Sequence, residues 1–230
     1  MTKRKIQYWV IPPEANSEFV ANMEDVLETY ARPYDEAFPV VCMDEQPVQL
    51  LKETRIPIPA SKDHARRVDY EYERAGTACI FMFAEPLSGW RHVRVRPHRT
   101  KADWALEMEE LLRTRFGDAQ QVTLVCDNLN THTKGAFYEV FSPEKARSIL
   151  QRLAFCYTPK HGSWLNIAEN ELSSLTRQCL SRRIPSFKML REETAAWASS
   201  CNSKQRGVDW QFTIGGARRK LKSLYPNIIV

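Results

Sequence analysis

Two short apolar runs in this chain lead into aspartates: Val40-Val41-Cys42-Met43-Asp44-Glu45 and Val122-Thr123-Leu124-Val125-Cys126-Asp127-Asn128. A third acid stands in Trp164-Leu165-Asn166-Ile167-Ala168-Glu169-Asn170. An apolar run of this length has the pattern of a buried central strand. An aspartate ending such a strand lies at a sheet rim, where ligands can reach it. Two such aspartates on neighbouring strands, with a glutamate from a helix, would make a three-carboxylate cluster. Carboxylates that close repel one another, so the cluster makes sense only around bound cations. Its chemistry would be magnesium-dependent phosphoryl transfer. Taken singly, Asp44 serves as well as a turn former, and Asp127 with Asn128 as an Asx turn.

Glu169 has a competitor in Glu171. At roughly 100° per residue, Trp164, Leu165, Ala168, Leu172, Leu175 and Cys179 form the apolar face of a helix predicted over residues 163–180. Glu169 falls on the polar side with Asn166, Asn170 and Ser173, and Glu171 nearer the apolar flank. Only Glu169 is placed to reach a rim site. Glu45, beside Asp44 on a continuing strand, points to the opposite side.

The elements that must hold these residues can be read along the chain. Residues 1–13 form an irregular lead-in ending in Pro12-Pro13. A helix is predicted over residues 17–31, with Ser17 as its N-cap. The first strand opens after Pro39. Residues 46–75, broken by Pro47, Pro57 and Pro59, read as a long polar excursion. A hairpin follows, with strands at residues 77–83 and around His92, Arg94 and Arg96, where polar and apolar residues alternate. A helix over residues 101–116 and a strand at 122–126 come next. Residues 133–152 read as helical with a break near Ser142-Pro143, and residues 153–157 as a strand. Further helices are predicted at 186–200 and 217–224. Three strands, helix, strand, helix, strand, helices is an α/β order: an RNase H-like mixed five-stranded sheet flanked by helices, with the first and fourth strands adjacent. The expected division is a lead-in and helix at 1–35, a catalytic domain at 36–182 and a basic helical extension at 183–230.

The formal charge of +5 is unevenly spread. Residues 172–230 hold 11 Lys/Arg against 3 Asp/Glu, a net of +8; the rest hold 22 against 25, a net of −3. A basic end beside an acidic site suits a nucleic-acid enzyme, though a solvated tail gives the same asymmetry. Six dispersed cysteines without a Cys-x-x-Cys pair read as reduced thiols, and Cys126 with His132 lacks partners for zinc. No apolar stretch reaches membrane-span length and no signal-peptide core follows the basic start, which points to the cytosol.

VVCMDEQPVQLL, RVDYEYERAGTACIFMF, LVCDNLNTH, YTPKHGSWLNIAENELS and WQFTIGGARRKLKSLYP, spread over residues 5–226, resemble the catalytic part of bacterial, mariner-related insertion-sequence transposases of the DDE endonuclease superfamily. The pairing of LVCDNLNTH with TPKHGSWLN-x-x-E is the most specific element. The resemblance implies the retroviral-integrase-like variant of the RNase H fold. It implies Asp44, Asp127 and Glu169 as ligands of two Mg²⁺ ions, with Mn²⁺ able to substitute. It also implies cleavage of double-stranded DNA at element ends, with the freed 3′-hydroxyl attacking target DNA. Assembly as a homo-oligomer on DNA in the bacterial nucleoid would follow. Asn128, His132, His161 and Asn166 are the supporting candidates; polar loop packing would explain Asn128 and His132 as well, and two metals would leave His161 no catalytic role to fill. Arg94 and Arg96 form part of a basic face with Arg91, Arg99 and Lys101, while Arg177, Arg182, Arg183, Arg218, Arg219 and Lys220 follow the catalytic helix. Both groups are candidate DNA contacts. Trp210 and Phe212 are expected in the core.

The pattern departs from the family in three places. Relatives usually carry helix-turn-helix domains before the catalytic domain, and the first 35 residues here are expected to hold one helix, not three. Ala75 stands where relatives tend to have Asn, and Gly216 where they tend to have Asp. Two other activities therefore compete with transposition: a nuclease without strand transfer, and a catalytically inactive DNA-binding or repressor fragment.

Overall fold

A computed structural model describes residues 16–226 of the chain. The lead-in expected at 1–13 lies outside the described residues. Five strands form one mixed sheet: β1 (Val40–Glu53), β2 (Tyr72–Glu85), β3 (Trp90–Arg96), β4 (Val122–Cys126) and β5 (Leu153–Tyr157), in the order β3-β2-β1-β4-β5. The first three strands pair antiparallel, while β4 and β5 run parallel to β1. The expected neighbours, first and fourth strands, are in contact through Val40–Thr123, Val41–Leu124 and Cys42–Val125.

The helices cover both faces. Residues α1 (Ser17–Ala31), α5 (Ile167–Gln178), α6 (Phe187–Asn202) and α7 (Ile214–Lys220) pack with Cys42, Ile80, Met82 and Val125. On the other face α2 (Lys101–Thr114), α3 (Gly135–Val140) and α4 (Pro143–Gln151) pack with Val41, Met43, Phe81, Phe83 and Leu124. The alternation of Cys42 and Met43 between the two cores fixes the facing of every later residue on β1. Trp210 and Phe212 lie against the first core as expected, Trp210 on Tyr30 with ring centroids 4.9 Å apart.

Three expectations are corrected. The polar stretch after Gln46 is not an excursion: β1 runs on through Pro47 to Glu53, and β2 starts at Tyr72, so the two form a long antiparallel arm with a bulge between Gln49 and Leu51. Proline is tolerated there because β4 pairs with β1 only as far as Cys42, and beyond it β1 has a free edge. The N-cap of α1 is Asn16, whose side chain accepts from the Phe19 amide, rather than Ser17. The helix expected from residue 163 is a 3₁₀ turn (Ser163–Leu165) followed by α5, which begins only after Asn166.

Candidate active site

Asp44 is not at a strand end. It lies within β1, opposite Met82 of β2, but one residue past Met43, where the ladder to β4 has already stopped. Continuing the register of Cys42 with Val125 two positions brings it level with Asp127, the first residue beyond β4. Asp44 faces the α5 side, as Cys42 does. Glu169 stands in the first turn of α5. Burial pushes the Asp44 carboxyl up, to about 7; the Glu45 amide, donating to its Oδ1 at 2.7 Å, pulls it back, and the charges of Asp127, Glu169 and Glu45 push it further. Glu169 is also raised, by burial first and by Asp127, against a hydrogen bond from the Ser163 hydroxyl. The two aspartates and the glutamate thus act on one another at one end of the sheet.

Asn166 ties the helix to the strand. Its Oδ1 accepts from the Ala168 amide at 3.1 Å, capping α5, and its Nδ2 donates to the Met43 carbonyl at 2.9 Å. One buried side chain therefore sets the start of α5 against β1 next to Asp44. Upstream, exposed His161 holds φ at +64°, a left-handed conformation that a β-carbon disfavours. The chain turns sharply there into Gly162, where a β-carbon would stand 2.5 Å from the Pro159 ring. Asn128 is exposed on the loop after β4.

His132 is brought under the site. Its N–H donates to the Leu129 carbonyl at 3.0 Å, and the Tyr157 hydroxyl donates to its carbonyl at 3.0 Å. The ring, fully buried, has Nε2 2.9 Å from Glu45 Oε1 and Nδ1 2.7 Å from Asp127 Oδ1. Burial works to lower its pKa, but the contacts with Asp127 and Glu45 outweigh it and hold it up, at about 10. Glu45 is the functional candidate that sequence reasoning passed over. It points away from Asp44, as expected, yet its side chain is only 2 % exposed. The signal lay in Asp44-Glu45 and Asp127-x-x-x-x-His132, an acid and a base each near an aspartate.

Most of the expected DNA-contacting arginines are engaged within the chain. Arg94 pairs with Glu107 and Glu110, and Arg96 with Asp103 and Glu107, so the basic face on β3 is neutralised by α2. Arg91 is buried against Glu171 at 2.7 Å. Arg182 pairs with Glu193, and Arg218 with Glu24. Arg183 holds Glu53 and donates to the Asp69 and Glu71 carbonyls, bracing the arm. Arg177, Arg219 and Lys220 are exposed with no carboxylate partner among the described residues. Sequence could not reveal this, because the acids that occupy the arginines come from other elements, which must first be folded against them.

The donor set fits a hard divalent cation. Carboxylate oxygens are the ligands magnesium and manganese prefer. Asp127 Oδ1 is buried and has no well-aligned hydrogen-bond donor, because the His132 ring meets it at a poor angle. Such an orphan favours an electropositive partner. Among the described residues, no three acidic, histidine or cysteine side chains stand close enough to enclose an ion as they are. Closure would thus need side-chain movement against mutual repulsion.

A family model described as DDE superfamily endonuclease matches residues 39–191. Among solved structures, the chain is similar to the Mos1 mariner paired end complex with Mn, at 16 % identity and TM-score 0.58, over 97 % of this chain and 66 % of that one. It is similar to the Mos1 strand transfer complex, at 14 % and 0.62, over 97 % and 65 %. The Mos1 mariner paired end complex with Mg matches at 15 % and 0.56, over 98 % and 68 %. The chain spans about two thirds of the length of these relatives. The shared fold is RNase H-like. No curated protein matches the chain.

Proposed function

The chain belongs to the DDE superfamily endonucleases, and from that premise we propose that it is the catalytic domain of a transposase. Its substrate is double-stranded DNA at the ends of a mobile element, and its second substrate is target DNA. The observation that carries this reading is the placement of the three acids: the β1–β4 register brings Asp44 level with Asp127, and Glu169 stands in the first turn of α5 on the side that Asp44 faces. These three side chains would hold two Mg²⁺ ions, or Mn²⁺ in their place. When bound, such ions supply Lewis-acid stabilisation of the phosphoryl group and activation of the attacking oxygen.

The chain's own residues supply position. The Asn166 cap keeps Glu169 at the start of α5, directed to the aspartates. The Glu45 amide orients Asp44 through its Oδ1. Arg177, Arg219 and Lys220 are the best candidates for phosphate contacts, because no internal acid neutralises them among the described residues. The similar Mos1 structures are a paired end complex and a strand transfer complex; by analogy, this chain would assemble as a homo-oligomer on DNA.

The test is incubation of the purified chain with duplexes carrying the element ends, with and without Mg²⁺ or Mn²⁺, beside Asp127→Asn. Metal-dependent nicking followed by joining to a target duplex supports transposition. Nicking without joining leaves a nuclease, and DNA binding without either leaves a binding fragment. Undiminished cleavage by Asp127→Asn would remove Asp127 from the site.

A further inference from the structure

We propose that Glu45 and His132 form a buried positioning dyad that holds Asp127 level with Asp44. This rests on the reading of Asp127 as a metal ligand. The need for such a device follows from the sheet. Backbone pairing between β1 and β4 ends at Cys42 and Val125, two residues short of the aspartates on either strand. Ladder hydrogen bonds therefore do not set the separation of Asp44 and Asp127. The bridge from Glu45 through His132 to Asp127 crosses between the strands at that level.

The dyad is built to be rigid. Glu45 is the residue next to Asp44, so whatever holds it also holds the Asp44 backbone. The His132 ring lies between Glu45 and Asp127, and the Trp104 ring covers it with centroids 5.5 Å apart. The Tyr157 hydroxyl and the turn from Leu129 fix its main chain at both polar groups.

The dyad also leaves the carboxylate available. His132 Nδ1 has its aligned contact with the Asp127 backbone carbonyl, at 3.2 Å. The side-chain Oδ1 is nearer, at 2.7 Å, but poorly aligned. The ring thus locates Asp127 by its main chain and by close approach, without satisfying the lone pairs of the carboxylate. Carboxylate–histidine partners behind a metal centre commonly act this way, fixing ligand orientation.

The experiment measures Mn²⁺ binding to the whole chain by the loss of the free-ion paramagnetic resonance signal, with metal-free thermal midpoints taken in parallel. Glu45→Ala and His132→Ala should weaken binding roughly 10- to 100-fold at temperatures where each is folded. Glu45→Gln retains an acceptor for Nε2 and should stay within about threefold of the wild type on the same scale. Met108→Ala, a truncation elsewhere in the same core, should lower the thermal midpoint and leave Mn²⁺ affinity unchanged. The dyad is overturned if Glu45→Ala and His132→Ala bind Mn²⁺ as the wild type does, or if Met108→Ala weakens binding equally. Wild-type protein that binds no more tightly than Asp127→Asn would sink the site reading, and the dyad with it. Wild-type binding that depends on Asp127 but not on the dyad would sink only the dyad.

Discussion

Asp44 and Glu45 are consecutive acids on one strand, and they live in opposite electrostatic worlds. Glu45 faces the α2–α3 side, is almost wholly buried and has an imidazole 2.9 Å away. Asp44 faces the α5 side, has other carboxylates for company and receives only a backbone amide. A buried acid with a cationic partner is a settled structural element; a buried acid among like charges is under tension that something outside the chain must relieve. The pleat of β1 alone separates these two conditions, since one residue of advance reverses the face. The contrast teaches that burial and residue type do not mark a functional carboxylate. For Asp44 the mark is the lack of a cationic partner beside it, whereas Asp127 shares the His132 ring with Glu45.

The sharpest way to break this contrast is to remove charge without shape at each position. Asp44→Asn, Asp127→Asn and Glu169→Gln should each lower metal-dependent cleavage by roughly a thousandfold or more, because several kcal/mol of transition-state stabilisation depend on the metal site. DNA affinity, measured alongside, should hardly change. Glu45→Gln should keep most of the cleavage. Equal losses at Asp44 and Glu45 would erase the distinction.

Stability should move in opposite directions. Glu45→Ala strands the His132 ring beside one partner and should destabilise the fold by about 3 kcal/mol, the usual cost of breaking a buried pair. Asp44→Asn should stabilise the metal-free chain at pH 8 by about 1–2 kcal/mol, since functional sites carry such costs. The sign follows from the raised Asp44 pKa. The folded state prefers the protonated carboxyl, so its stability contribution is full below the ordinary value of 3.8 and is lost as pH rises through about 7. The gain from Asp44→Asn should therefore fade on acidification towards pH 4, which chemical denaturation across that range will show. A gain that persists at pH 4 would mean that packing, not charge, is responsible.

Asn166→Ala should act on both properties at once. Loss of the cap costs about 1 kcal/mol of stability, and release of α5 from the Met43 carbonyl should misplace Glu169. Cleavage should then fall by about tenfold, the equivalent of roughly 1.4 kcal/mol, and Asn166→Asp, which caps but cannot donate to Met43, should restore stability more than cleavage. The smallest effects belong to the surface. Alanine at Arg177, Arg219 or Lys220 should each reduce the salt dependence of DNA binding by about one unit of slope, whereas Arg94→Ala and Arg96→Ala should leave it unchanged. Titration of duplexes at several salt concentrations separates the two groups.

Much of this arrangement was legible in the sequence because it rests on local signals. The five-residue strands at Val122–Cys126 and Leu153–Tyr157 are largely apolar runs bounded by polar residues, and the sequence pattern places both at their observed limits. The element order then made the adjacency of the first and fourth strands readable. The arm was not, because Pro47 and the polar Gln46–Glu53 stretch resemble a loop unless the free edge of β1 is known. The predicted helix starts too early, at residue 163, because the 3₁₀ turn Ser163–Leu165 carries part of its apolar set, whereas α5 begins only after Asn166 caps it through the Ala168 amide. The arginines failed for a different reason: Arg94 and Arg96 look free until α2 is laid across the sheet with Asp103, Glu107 and Glu110 facing them.

The tie between Asn166 and Met43 joins residues 123 positions apart, and the one between Glu45 and His132 spans 87. At a synthesis rate of about 5–20 residues per second, β1 would leave the ribosome roughly 6–25 seconds before the start of α5. Asp44 must wait through that interval on a strand whose parallel partner, β4, has also yet to be made. A prematurely released chain would carry the first aspartate and most of the sheet, but no capped α5 and no Glu169 beside it. The distance along the chain therefore acts as a completeness check: a fragment released before residue 169 is made cannot gather all three acids at the rim.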